Sequence, residues 1–111
     1  IDSASASGNV QGGVRAVVGG LVGQNNARIT NASSTGSVAA STYATLGGLV
    51  GLNMGNVRQS VASGKVNFLP AAYRQTYGGL VGMNYGELFY NGVSGQAALV
   101  PFVGFNQGTI R

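Results

Sequence analysis

General acid–base chemistry needs titratable side chains that can converge, and this sequence supplies almost none. Its carboxylates are Asp2 and Glu87, its lysine is Lys65, and it has no histidine or cysteine. An acid–base pair, two facing carboxylates for glycoside cleavage and an aspartate-rich calcium loop are all excluded. The many serines have no base to activate them. The Gly-Gly-Leu-Val-Gly segments lack the Lys-Ser/Thr of a phosphate loop. The expectation is a non-enzymatic chain with no catalytic residue, no metal ligand and no cofactor. The net charge of +4 comes from six dispersed residues, Arg15, Arg28, Arg58, Lys65, Arg74 and Arg111. Nucleic acid, which selects concentrated basic faces, is not an expected partner. Aromatic side chains remain as contact candidates, because their faces stack on sugars or fill partner pockets. They are Tyr43, Tyr73, Tyr77, Tyr85 and Tyr90; the bland alternative is that connector aromatics fold back over the chain's own surface.

The elements that must carry these residues are set by repetition. Gly19 to Val38 reads GGLVGQNNARITNASSTGSV, Gly47 to Val66 reads GGLVGLNMGNVRQSVASGKV, and Gly78 to Ala97 reads GGLVGMNYGELFYNGVSGQA. Residues 1–10 and 100–111 are partial copies in the same frame. Equivalent aliphatics at Ile1, Ile29, Val57, Leu88 and Ile110 are spaced by 28, 28, 31 and 22 residues. The variation falls in the connectors, as expected if cores stack and loops bulge freely. Helical repeats are excluded by the glycines, each of which costs on the order of 1 kcal/mol in a helix interior. Hydrophobic residues make up 44% of the chain and charged residues 7%, so it can bury surface and is not disordered.

The reading is an all-β, parallel β-helix (β-solenoid) of about four coils of 22–31 residues, one domain over 1–111, with three short strands per coil. In the second block the strands are Gly47 to Asn53, Val57 to Val61 and Ala62 to Phe68. Alternation within the first strand predicts an interior ladder of Leu21, Leu49, Leu80 and Phe102. Val22, Val50, Val81 and Val103 would then face outward beneath the connectors, unless the faces are inverted. A second ladder comprises Ile1, Ile29, Val57, Leu88 and Ile110, and a third comprises Val10, Val38, Val66 and Ala97. Asn25, Asn53, Asn84 and Asn106 recur two residues before Ala27, Gly55, Gly86 and Gly108, predicting stacked carboxamides at a corner where glycine supplies a positive φ. At Ala27 the left-handed residue would shift to Asn26. Asp2, Thr30, Arg58, Phe89 and Arg111 share another column, in which Phe89 separates two arginines and a cation–π contact can form.

GGLVGLNMGNV and its copies resemble the GLUG motif, a repeat of bacterial surface proteins such as filamentous-haemagglutinin-like adhesins and some IgA-specific metallopeptidases. The peptidase chemistry does not carry over, since the zinc-binding HExxH helix has no counterpart here. The resemblance implies a right-handed parallel β-helix, extracellular or on the bacterial cell surface, acting as a stalk, fibre or adhesive module. Ala27 and the Val100-Pro101-Phe102 replacement of Gly-Gly-Leu depart from the motif. Absence of cysteine suits export through a narrow pore. The stretch from Gln96 to Phe105 is too short and too broken to span a membrane. The opening Ile1-Asp2-Ser3, without leader or start methionine, reads as part of a longer solenoid or a stacked assembly. The expected partners are adjacent coils or identical chains end to end, with a host glycan or protein as the alternative.

Overall fold

Runs of two to four β-prone residues between Gly, Asn and Ser make only short strands, which gain stability by pairing with their equivalents one repeat away. The computed structural model describes residues 1–67, 69 and 74–111. Among these, the strands form five sheets, and every pairing is parallel. In chain order around one turn they are as follows. Sheet A holds Arg28–Thr30, Asn56–Arg58, Glu87–Phe89 and Thr109–Ile110. Sheet B holds Ser5–Ala6, Ser33–Ser34, Val61–Ala62 and Gly92–Val93. Sheet C holds Val10–Gln11, Val38–Ala39 and Val66–Asn67. Sheet D holds Val17–Gly19, Thr45–Gly47 and Thr76–Gly78. Sheet E holds Val22–Asn25, Val50–Asn53, Val81–Asn84 and Val103–Asn106. With three or four strands in each sheet, the chain is a β-solenoid of about three turns. Its only helix among the described residues is a 3-10 turn, Gly95–Leu99, following the last strand of sheet B.

The register is the one the repeat predicts. Ile29 pairs with Val57, Val57 with Leu88, and Leu88 with Ile110. Val10, Val38 and Val66 align in sheet C. Ile29, Val57, Leu88, Leu49 and Leu80 are fully buried in one cluster, against which Leu21 and Phe102 pack partly buried.

Several expectations are corrected. A turn has five strands rather than three, because bends interrupt the longer segments. The chain bends at Gly48 and Leu49, so Thr45–Gly47 and Val50–Asn53 belong to different sheets. Alternation does not carry across that bend, and Val50 and Val81 are as fully buried as Leu49 and Leu80. Val22 and Val103 pack partly buried on the same cluster, so the valines face inward. Gln59 and Ser60 break the expected second strand, so that Val57 stays in Asn56–Arg58 while Val61 starts a new strand with Ala62, and Ser63 to Lys65 separate Ala62 from Val66–Asn67 within the expected third strand; its end at Phe68 lies outside the described residues. The connectors are not free loops. Their last residues form sheet D, and Val18, Ala44 and Leu46 join Val38 and Val66 in a second buried cluster. Ala97 is buried but leaves the Val10–Val38–Val66 ladder, because the 3-10 turn replaces a fourth strand of sheet C.

Candidate functional site

The asparagine column is the most ordered polar feature of the fold. Asn25 Nδ2 donates to Asn53 Oδ1, Asn53 Nδ2 to Asn84 Oδ1, and Asn84 Nδ2 to Asn106 Oδ1, each at 2.8 Å. Each Oδ1 also accepts from the backbone N–H two residues on, at Ala27, Gly55, Gly86 and Gly108, which closes the corner as an Asx-turn. Asn53 and Asn84 are fully buried, so these carboxamides have exchanged water for one another. The four carboxamides thus form one continuous hydrogen-bonded column through the stack.

The glycines beside it have a different reason from the one expected. None of Gly55, Gly86 and Gly108 has a positive φ. A Cβ on Gly55 would overlap the Ala27 carbonyl oxygen of the preceding coil and stand 2.8 Å from the Ala27 nitrogen, and Gly86 meets Gly55 in the same way. Glycine is needed for close approach along the stack. Ala27 occupies the first copy of the column and makes the same Asx-turn without any shift to a left-handed Asn26.

Left-handed residues do form columns, but non-glycine ones. Ser3, Asn31, Gln59 and Tyr90 form one, and Arg15, Tyr43 and Arg74 another, with φ between 50° and 60°. Each costs about 1–2 kcal/mol relative to glycine, so the stack holds them there. The first column has a consequence that sequence reading missed. Asn31 N–H donates forward to Arg58, and Ser33 N–H donates back to Ala4. The intervening N–H of Ala32 reaches no carbonyl and is met instead by Ser60 Oγ of the next coil, at 3.1 Å. One turn later Ser60 N–H is met by Asn91 Oδ1, at 2.9 Å. A polar residue following a left-handed corner is the signal that could have found this plug.

Among the described residues the tyrosine candidates do not converge. Tyr43 is exposed, with Arg15 Cζ 5.4 Å from its ring centroid. Tyr77 lies in sheet D and packs, partly buried, against the second core cluster. Tyr85 is exposed at the asparagine corner, 6.1 Å from Phe105. Tyr90 is 79% exposed at the other end of strand Glu87–Phe89. Tyr73 lies outside the described residues. With the valines inside, no aromatic roof over them is required. The Arg58–Phe89–Arg111 column does assemble: the Cζ atoms lie 4.6 and 5.4 Å from the Phe89 centroid. Among the described residues there is no cavity and no group of three or more His, Cys, Asp or Glu side chains that could hold a metal. No helix among them is long and apolar enough to cross a membrane. What the geometry offers is an outer surface of side-chain rows at fixed spacing on a stiff core.

The family model of the GLUG motif matches twice, over residues 15–39 and 42–67, which supports a GLUG repeat segment across 15–67. Each match runs from the latter part of a connector through sheets D, E, A, B and C in succession, so the motif corresponds to one turn. No curated protein and no solved structure matches the chain.

Proposed function

Starting from a GLUG repeat segment, we propose that this chain is a non-catalytic structural and adhesive segment of an exported bacterial surface protein, placed outside the cell. The observation that carries the reading is the in-register stack locked by the asparagine ladder, with its second polar plug at Ser60 and Asn91. Such a stack holds rows of surface groups at constant spacing and suits a stiff spacer that also presents contacts. The reading takes the wind as right-handed, the hand favoured for parallel crossovers, and the coil count as four, with Leu88 to Ile110 as a last coil lacking strands in sheets C and D. The test is display of the chain on a non-adherent bacterium, counting cells retained on host-cell and polysaccharide-coated surfaces. Retention above that of the empty display scaffold is expected. No gain on any surface overturns the adhesive half.

A further inference from the structure

Sheet A turns two rows of side chains toward solvent, one of Arg28, Asn56, Glu87 and Thr109, the other of Thr30, Arg58, Phe89 and Arg111, while Ile29, Val57 and Leu88 point inward. Phe89 alternates with buried Leu88 and so faces out, yet it is only 9% exposed. Arg58 and Arg111 cover it from the two neighbouring rungs. Neither guanidinium has an ion pair, a hydrogen bond or any other ring contact among the described residues. A guanidinium that contacts a ring through its flat face keeps its in-plane N–H donors free for another partner. The ring thus fixes two otherwise long and mobile side chains in place while their hydrogen-bonding capacity stays open. Fixing them in advance lowers the ordering entropy of binding.

We propose that this row is a binding site for an acidic polysaccharide, engaged through the carboxylates of uronic acid residues; the proposal rests on the adhesive reading above. Each guanidinium can take a carboxylate in bidentate fashion. Arg58 and Arg111 are separated by two rungs, roughly 10 Å along the stack. A linked pyranose advances a sugar chain by a length close to one rung, so carboxylates on alternate sugars meet both arginines, with the intervening sugar over the Phe89 rung. A flat face without a cavity suits a polymer lying along it. Of the other cations, Arg15, Lys65 and Arg74 lie at corners away from sheet A, while Arg28 stands in the neighbouring outward row of sheet A, two rungs from Glu87; with three of the six cations on this face and a carboxylate among them, the charge does not merge into the broad basic face that nucleic acid would need. Glu87, two residues from Phe89 on the same outer face, opposes a polyanion and supplies a test of sign.

The experiment measures binding of purified protein to polygalacturonate, with dextran sulfate and uncharged dextran in parallel arms and with circular dichroism to confirm the fold of each variant. Arg58→Gln and Arg111→Gln should each weaken polygalacturonate binding about tenfold. Phe89→Leu, which keeps every charge, should weaken it as well. Glu87→Gln should strengthen it, and Lys65→Gln and Arg74→Gln, which remove the same charge elsewhere, should leave it unchanged. Equal losses for all four cation variants would replace the site with diffuse charge and overturn the proposal. Binding to dextran sulfate but not to polygalacturonate would overturn the carboxylate assignment. Equal binding to uncharged dextran would overturn the role of the arginines. Failure of the parent protein to bind polygalacturonate overturns this site while attachment of displayed cells continues to judge the adhesive reading separately.

Discussion

Gly55→Ala sets two effects of opposite sign against each other. Gly55 has no positive φ, so alanine is conformationally acceptable there, and reduced freedom of the unfolded chain favours the variant by about 0.4–1 kcal/mol. Against this, the new methyl overlaps the Ala27 carbonyl oxygen and stands 2.8 and 2.9 Å from the Ala27 nitrogen and carbonyl carbon. All three are backbone atoms that no rotamer change can move. The coils must part at this corner, which strains three bonds: Met54 N to Asn25 O at 2.8 Å, Asn56 N to Ala27 O at 2.8 Å, and Asn25 Nδ2 to Asn53 Oδ1 at 2.8 Å. At about 1 kcal/mol each, their loss outweighs the entropic gain, for a net destabilisation of about 2 kcal/mol and a fall in Tm of roughly 10 °C. Gly8→Ala is the internal control, since nothing lies within 4 Å of its Cβ and the entropic term alone should leave it neutral or slightly stabilised. Thermal unfolding followed by circular dichroism reads both. A Gly55→Ala protein as stable as its Gly8→Ala counterpart would refute close approach as the reason for the glycine column.

Asn53→Ala removes bonds to Asn25, Gly55 and Asn84 inside a fully buried column and should cost about 3 kcal/mol in urea unfolding; an unchanged midpoint would count against the ladder. Gln59→Gly relieves a left-handed non-glycine residue at φ 50° and should stabilise by about 1 kcal/mol, whereas a loss of stability would contradict that backbone conformation. Leu49→Asp buries an unpaired carboxylate in the main cluster and should abolish cooperative unfolding, while Lys65→Ala, at an exposed corner, should not; a cooperative Leu49→Asp protein would place this column outside.

The period, the stacking register and the asparagine ladder were legible because each column repeats one residue type at one offset, and parallel stacking converts sequence offset directly into contact. Alternation was less informative, since it holds only within a strand. The bend at Gly48 and Leu49 turns both Leu49 and Val50 inward, which no two-residue period can express. A recurring glycine suggests torsional freedom, whereas at the asparagine corner the fold requires its lack of a side chain, and positive φ falls instead on residues such as Ser3, Asn31, Gln59 and Tyr90. These residues share no chemistry, so their column is visible only through the backbone. The connectors varied in length and looked like loops, although Val18 and Leu46 at their ends seed the second core cluster. On the surface, the Arg58–Phe89–Arg111 column follows from the register, whereas residue type alone does not bring Tyr43, Tyr77, Tyr85 and Tyr90 together.

The stacking of coils through the asparagine column is tested most directly by NMR of its side-chain amides in the isotopically labelled protein. Cross-peaks should run from Asn25 to Asn53, Asn53 to Asn84 and Asn84 to Asn106, following the 2.8 Å bonds, and the buried Asn53 and Asn84 amides should exchange with solvent far more slowly than that of exposed Asn26. Exchange of Asn53 and Asn84 at the rate of Asn26, without cross-peaks between them, would contradict the stack.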